Sequence, residues 1–220
     1  MRPIPRDCLH PKRSRSGGTR LIMLWAKRCV KEKYCMSDLE HATEFTVRVT
    51  KDYLVFCAGH FITYDGDHCE RLHGHNYRTA VEVEDELDQN HYVIDFIALK
   101  DITRAITDEL DHRMLLPTRS PKIQLHEEGP NVRVTYRERY WSFPREECAL
   151  LPIANTTAEL LADYIAGRIR SSLIARGWRL PRVLRVEVEE SFGQSAEVEW
   201  RSGLGDHGQF AGANPAIVQG

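Results

Sequence analysis

The sequence predicts an α+β fold in which an antiparallel sheet carries helices on one face. Apolar and polar residues alternate in several segments, as they do in half-buried strands. Two longer segments instead repeat apolar residues every three or four positions, as one face of a helix does. Strands come first along the chain, helices follow and a further strand comes last, an order that favours an antiparallel sheet with helices packed on one side.

The predicted strands are residues 43–50, 54–61, 73–84 and 183–190. Successive side chains of a strand point to opposite faces, so residues two apart share a face. His73 and His75 therefore lie together at the start of the third strand, on its apolar face. The same period places Glu190 on the inward face at the end of the fourth strand.

Two helices are predicted by apolar spacing and by their termini. The first follows Asp95, a favourable N-cap, and the second follows the capping-box pattern of residues 156–159 and ends near Gly177. The apolar positions are Leu99, Ile102, Ile106 and Leu110 in the first helix and Leu161, Ile165, Ile169 and Leu173 in the second.

The remaining segments define the domain organisation. Residues 61–72 are polar and aperiodic, with a turn signal at Asp65-Gly66, and are predicted to be a loop. Residues 118–150 hold two β-like runs around Gly129-Pro130-Asn131 and are predicted to be an inserted β-hairpin. We therefore expect a domain at residues 41–201 with insertion 118–150, a disordered basic extension at 1–40 and a flexible tail at 202–220.

Charge is distributed unevenly along the chain. The whole chain of 220 residues has a net charge of −2, residues 1–35 alone carry +8, and the remainder therefore carries −10. The basic segment fits a targeting segment, a disordered tail, or sequence translated upstream of a start at Met36. The longest apolar run there is too short for a membrane span. Neither nucleic acid nor a membrane is expected as the main partner.

Cysteine usage indicates the compartment. The six cysteines are Cys8, Cys29, Cys35, Cys57, Cys69 and Cys148. They form no C-x-x-C pair and no dense framework, which favours a reducing compartment. We expect a cytoplasmic protein.

Three histidines predict a catalytic zinc site. His73 and His75 share one face of a strand, and His60 closes a preceding strand. Catalytic zinc takes three protein ligands and leaves a fourth position open. Gly74, between the paired histidines, allows close approach of a neighbouring backbone.

Five further residues are candidates for chemistry. Cys69 is either a fourth zinc ligand, which would make the site structural, or a thiolate base beside the metal. Asp111-His112 is either an acid/base pair or a polar helix end. Glu190 is either a ligand anchor or a solvated strand end. Thr157, near a helix N-terminus, can offer a hydroxyl or an N–H to the same ligand.

The ordered motifs resemble the pterin synthases that include 6-pyruvoyl-tetrahydropterin synthase and 6-carboxy-5,6,7,8-tetrahydropterin synthase. The resemblance rests on F-C-A-G-H (56–60), C-E-R-L-H-G-H-N-Y (69–77), V-I-D-F-I-A-L-K (93–100), L-D-H (110–112), N-T-T-A-E (155–159) and V-E-V-E-E-S (186–191). It implies the tunnelling fold, with a four-stranded antiparallel sheet and two helices, commonly assembled as a hexamer of two trimers with sites between subunits. It also implies zinc on His60, His73 and His75.

The resemblance implies roles for the other candidates. Cys69 would accept a proton, Asp111 and His112 would assist proton transfer, and Glu190 would anchor the pterin ring. The C-x₃-H-G-H spacing resembles the carboxy-forming branch, which converts 7,8-dihydroneopterin triphosphate to 6-carboxytetrahydropterin, acetaldehyde and triphosphate in the queuosine pathway. The alternatives are the pyruvoyl-forming reaction, another dihydroneopterin side-chain lyase, and a non-catalytic zinc-stabilised assembly protein. The family's compact members lack both the insertion and the basic extension.

Overall fold

The computed structural model describes residues 43–203, and it confirms the α+β class. The predicted extension 1–40 and nearly all of the predicted tail 202–220 lie outside these residues. The main-sheet strands are β1 (Phe45–His60), β4 (His73–Asp85), β5 (Arg113–Pro117), β9 (Cys148–Leu151), β10 (Val183–Ser191) and β11 (Gln194–Arg201). The remaining strands are β2 (Thr63–Tyr64), β3 (His68–Cys69), β6 (Gln124–Glu128), β7 (Asn131–Tyr136) and β8 (Arg139–Pro144), and the α-helices are α1 (Phe96–Leu110) and α2 (Ala158–Ala175).

The main sheet has six strands in the order β11-β10-β4-β1-β5-β9. Strands β11, β10, β4 and β1 pair antiparallel, whereas β5 and β9 are added in parallel beyond β1. The four-stranded antiparallel sheet that the resemblance implied is therefore one part of a larger mixed sheet, and the expectation of four strands was wrong. Both added strands are short, and no alternation in the sequence marks them.

The first two predicted strands are one continuous strand. β1 runs through the segment between them, and its pairing with β4 shifts register between Thr50 and Val55. This irregularity breaks the alternation in sequence without ending the strand. The predicted loop after β1 is also more ordered than expected, because β2 and β3 pair around a turn at Asp65 and Gly66, both of which have positive φ.

The inserted segment is a separate three-stranded sheet rather than a hairpin. Strands β6, β7 and β8 pair antiparallel in sequence order. The second turn passes through Arg137 at a φ of 52°. Gly, Asn or Asp usually occupies a turn position with positive φ. Because an arginine occupies this one, the sequence did not indicate the turn, and β7 and β8 were predicted as a single strand.

The two predicted helices pack on one face of the main sheet and bury its apolar side. The apolar positions predicted for both helices are buried together with Val81, Val83, Val186 and Val188. Asp95 caps α1 as predicted by accepting from the backbone N–H of Ile97 at 2.8 Å.

The N-terminus of α2 differs from the predicted capping box. Thr157 is the N-cap and makes no side-chain cap bond. The Thr156 hydroxyl instead donates to the Phe61 carbonyl at 3.1 Å, which ties the helix start to the end of β1. Among the helices of residues 43–203, none is long and apolar enough to cross a bilayer.

Candidate functional site

The three predicted zinc ligands converge where β1 and β4 meet. His60, the last residue of β1, lies opposite His73, the first residue of β4. Paired residues of an antiparallel ladder share a face, and His75 shares it by the period of two. One ligand nitrogen from each ring lies within 4.8 Å of those of the other two. The spacing of two residues predicted that His73 and His75 share a face of β4. The register of β1 against β4 brings the His60 imidazole to the same face.

Gly74 permits the close pairing of the two strands. A Cβ at this position would lie 2.9 Å from the Ala58 carbonyl oxygen, closer than real Cβ contacts allow. Any side chain would push β4 away from β1 and separate His60 from its partners. The glycine is therefore a steric requirement of the site.

Backbone contacts fix which nitrogen of two rings faces the site. His60 Nδ1 lies 3.0 Å from the Thr156 carbonyl, and His73 Nδ1 lies 2.8 Å from the Arg71 carbonyl. A carbonyl only accepts, so each Nδ1 carries the proton and donates it. In the neutral rings both Nε2 atoms then hold lone pairs, and these atoms face each other at 3.2 Å.

This donor set fits a bound cation. Two facing lone pairs at this distance repel each other unless a positive charge or a proton lies between them. Burial lowers the pKa of His60, and the neighbouring histidines act in the same direction, while the Thr156 carbonyl and Glu190 oppose them. The buried His60 ring is therefore disposed to be neutral, the form that binds a metal, and its carbonyl partner orients it as such partners orient metal ligands.

Glu190 lies at the histidine cluster. Its Oε1 accepts from the Tyr77 hydroxyl at 3.1 Å and lies 3.2 Å from His60 Nε2 and 3.7 Å from His75 Nε2. Burial and the adjacent carboxylate raise the pKa of Tyr77, so the hydroxyl stays a donor. Glu189, its neighbour, points the other way and accepts from the Gly193 N–H at 3.1 Å.

A cleft of about 320 Å³ opens beside the histidines. His60, His73, Glu190 and Thr157 all line it, and so does Glu70. The carboxylate Oε2 of Glu70 lies 3.9 Å from His73 Nε2. The sequence interpretation missed Glu70. The only signal was its place between Cys69 and the paired histidines, because the short β2–β3 hairpin hides the alternation that would show where Glu70 points.

Cys69 lies beside the cleft rather than in its lining. Its thiol is half-buried and contacts the Glu70 carbonyl, with Sγ 3.5 Å from the oxygen. Within residues 43–203 the three histidines form the group whose ligand atoms converge, and Cys69 Sγ is not part of it. Burial raises the pKa of the Cys69 thiol, and the nearby Arg139 guanidinium opposes this shift.

Asp111 and His112 form a bonded pair after α1, outside the lining of the cleft. His112 Nδ1 lies 2.8 Å from Asp111 Oδ2. Asp111 also accepts from the Cys57 N–H at 2.7 Å, and the His112 N–H donates to the Cys57 carbonyl at 2.7 Å. Burial raises the pKa of Asp111, but the Cys57 N–H and His112 outweigh this effect and lower it. His112 is 82% exposed and has a φ of 54°.

Asn155 links the cleft to the β2 segment. Its side-chain N–H donates to the Thr63 carbonyl at 2.9 Å, and its Oδ1 accepts from the Thr63 N–H at 3.3 Å. This bracket attaches the segment before Cys69 to the start of α2. The sequence interpretation recorded Asn155 only as part of a motif.

Comparison with known proteins places this chain in a family. The profile of the family described as 6-pyruvoyl tetrahydropterin synthase matches residues 48–201. A Methanocaldococcus jannaschii protein, provisionally named a 6-carboxy-5,6,7,8-tetrahydropterin synthase, is 33% identical over 65% of this chain and 88% of its own length. An Aquifex aeolicus protein named 6-carboxy-5,6,7,8-tetrahydropterin synthase is 27% identical over 66% of this chain and 86% of its own.

A solved structure gives the same result. Plasmodium vivax 6-pyruvoyltetrahydropterin synthase, in a variant in which a glutamate described as a catalytic residue is replaced by alanine, superposes with a TM-score of 0.68. The sequences are 28% identical, and the match covers 72% of this chain and 99% of that one. Fold, site and likeness define an enzyme of the pterin synthase type, a lyase that acts on small pterin molecules.

The chain belongs to the 6-pyruvoyl tetrahydropterin synthase family. This confirms the predicted resemblance and the prediction of a lyase. It also argues against the alternative of a non-catalytic zinc-stabilised assembly protein.

Proposed function

We propose that the protein is a zinc-dependent 6-carboxy-5,6,7,8-tetrahydropterin synthase of the queuosine pathway. It would convert 7,8-dihydroneopterin triphosphate and one water to 6-carboxytetrahydropterin, acetaldehyde and triphosphate. The observation that carries this proposal is the short link of three residues between Cys69 and His73, at the edge of a cleft that His60 and His73 line. The names of the M. jannaschii and A. aeolicus relatives support the same branch.

His60, His73 and His75 would hold the zinc ion. Three imidazoles are a common ligand set for catalytic zinc, and their convergence favours this metal over the harder cations that prefer oxygen. When bound, zinc supplies Lewis acidity towards the side-chain hydroxyls of the substrate. Thr157 and Glu190 would bind the pterin, and their position in the lining of the same cleft supports this role.

The protein side chains would move the protons. As a thiolate, Cys69 would remove a proton from the substrate side chain. His112 would relay a proton, with Asp111 holding its imidazole through the 2.8 Å contact. Glu190, a carboxylate aimed into the cleft, would accept hydrogen bonds from adjacent N–H groups of the pterin ring and so fix its orientation.

The position of the Asp111-His112 pair supports an active site formed by two neighbouring copies of the chain. The pair does not line the cleft of its own chain, and the His112 side chain is largely exposed. We therefore propose that the pair completes the cleft of a neighbouring copy in a cytoplasmic homo-oligomer, a hexamer of two trimers.

Incubation with 7,8-dihydroneopterin triphosphate under anaerobic conditions is expected to release acetaldehyde and 6-carboxytetrahydropterin in equal amounts. Mass spectrometry of the pterin product and chemical trapping of the aldehyde measure both. A protein with its metal removed by a chelator provides the control and should form neither product. Unchanged substrate with the metal-loaded protein would contradict the proposal.

A second candidate is the pyruvoyl-forming reaction with Glu70 as the base. Glu70 lines the cleft and lies 3.9 Å from His73 Nε2, whereas Cys69 does not line it. The P. vivax enzyme named as a pyruvoyl-forming synthase also has a glutamate described as catalytic. A pyruvoyl product without acetaldehyde in the same reaction would favour this candidate.

Glu190→Gln is expected to weaken pterin binding about 10-fold to 100-fold, because hydrogen bonds to a charged partner contribute about 1.5–3 kcal/mol. Glu189→Gln should have little effect, since Glu189 lies on the opposite face and bonds Gly193. Fluorescence titration with a reduced pterin measures both variants after their metal contents are shown to be equal. Equal weakening in the two variants would contradict the role of Glu190 as the anchor.

A further inference from the structure

The tip of the inserted β7–β8 hairpin contacts the segment that carries Cys69 and Glu70. Arg139 donates from Nη2 to the Cys69 carbonyl at 2.9 Å and from Nη1 to the Glu70 carbonyl at 3.4 Å. The Tyr136 hydroxyl donates to the Asp67 carbonyl at 2.6 Å. Arg137 forms an ion pair with the Asp67 carboxylate. Three side chains within four residues of the insertion thus bind the segment 67–70, through three of its carbonyls and the Asp67 carboxylate.

Apolar packing joins the same two segments. The Trp141 ring stacks on Phe61 with centroids 4.6 Å apart. Phe61 and Tyr136 belong to a second apolar cluster, separate from the one beneath the helices, and Cys69 packs against that cluster. The apolar cluster against which Cys69 packs therefore includes residues of the insertion, among them Val132, Val134 and Tyr136, together with residues of the main sheet.

Beyond the insertion, the Asn155 bracket and the Glu70 N–H, which donates to the Ile62 carbonyl at 3.0 Å, also hold the segment. Strands β2 and β3 pair at only two positions, Thr63 with Cys69 and Tyr64 with His68. A hairpin this short is not stable alone. Its carbonyls need donors from elsewhere, and for Asp67, Cys69 and Glu70 the insertion provides them.

Arg139 is pre-positioned for this task. Its guanidinium lies 5.1 Å from the centroid of the Tyr136 ring and 5.5 Å from that of Trp141. Contact with two rings restricts the long side chain before any hydrogen bond forms. The planar guanidinium then serves two successive carbonyls at once, which a single ammonium group does less well.

We propose that the inserted sheet, strands β6 to β8, forms part of the active site. In this proposal Arg139 is a positioning residue, which sets the placement of Cys69 and Glu70 relative to the histidine cluster. The expected effect of Arg139 on catalysis rests on the proposed function. Both groups lie within four residues of His73, so the conformation of this short link decides where the base lies. A displacement of about 1 Å in such a group lowers a rate about 100-fold.

Arg139→Gln in the full-length protein is expected to lower kcat about 10-fold to 100-fold, with KM and metal content little changed. Arg139→Lys should recover part of kcat, because an ammonium group can still serve one carbonyl. Hydrogen exchange followed by mass spectrometry should show faster exchange of the amides of residues 62–72 in Arg139→Gln. Arg133→Gln is the matched control, since Arg133 lies on the same sheet over Tyr140 and bonds Glu128.

The exchange measurement separates this proposal from the proposed function, because it needs no substrate. Faster exchange in residues 62–72 of Arg139→Gln, with no turnover of pterin by the unsubstituted protein, would support the positioning role and contradict the proposed function. Turnover by the unsubstituted protein, with kcat and exchange of Arg139→Gln equal to those of Arg133→Gln, would overturn the positioning role. Should Arg139→Gln fail to fold, Arg139→Lys carries the same comparison: slower turnover and faster loop exchange than in Arg133→Gln support the proposal, and equality overturns it.

Discussion

His73→Ala is expected to lose the bound metal and, with it, all measurable lyase activity. His73 supplies one of three converging nitrogens, and its Nδ1 is already committed to the Arg71 carbonyl. Loss of a partner that only orients a ligand lowers metal affinity about 10-fold to 100-fold, so loss of the ligand itself should cost more. Elemental analysis of the purified variant, together with acetaldehyde release, measures both effects.

Two controls sharpen this experiment. His126→Ala removes an exposed histidine of β6 and should leave the metal content at about that of the unsubstituted protein. Cys69→Ala should also retain the metal, because the thiol is not among the converging ligand atoms of the described residues. Loss of metal from Cys69→Ala would show that the thiol is a fourth metal ligand. The site would then be structural, which is the alternative that the sequence left open for Cys69.

Cys69→Ala is expected to lower kcat for acetaldehyde release by about 10² to 10⁴, the usual contribution of a general base. Burial raises the pKa of the thiol, so only a small thiolate fraction exists at neutral pH. The base acts when it has lost its proton, and kcat should therefore rise as the pH rises towards that pKa. The measurement is kcat against pH for the unsubstituted protein and the variant.

Cys57→Ala is the control for this prediction, because its side chain is exposed and its backbone bonds to Asp111 and His112 do not depend on the thiol. A profile that is flat from neutral to alkaline pH in the unsubstituted protein would indicate a base that is already deprotonated, as a carboxylate is. Glu70→Gln should then show the large loss of kcat instead, in agreement with the second candidate function.

Strand period predicted much of this site from the sequence. Residues two apart share a face, and this rule alone put His73 with His75 and aimed Glu190 inward. The start of α1 also followed from a local signal, since the Asp95 carboxylate accepts from backbone N–H groups only two and three residues away. These features depend on interactions between residues near each other in the chain.

The features that could not be predicted from the sequence depend on contacts between segments that are distant in the chain. Parallel pairing of β5 with β1 joins Arg113 to Ala58 across three intervening strands and a helix, and no alternation in a strand of five residues marks it. The turn at Arg137 carries no glycine or asparagine. Glu70 faces the cleft because a two-pair hairpin turns the chain at Asp65-Gly66, and that rotation cannot be counted from residue spacing.

The pairing of His60 with His73 has a thermodynamic consequence. These residues form the last pair of the β1–β4 ladder, the position where a ladder opens most easily. An ion shared by their Nε2 atoms would act as a crosslink between two strand ends. Metal affinity and the closure of this end of the sheet are then linked equilibria, so that closed pairing strengthens metal binding by the same free energy by which the metal stabilises the closed pairing.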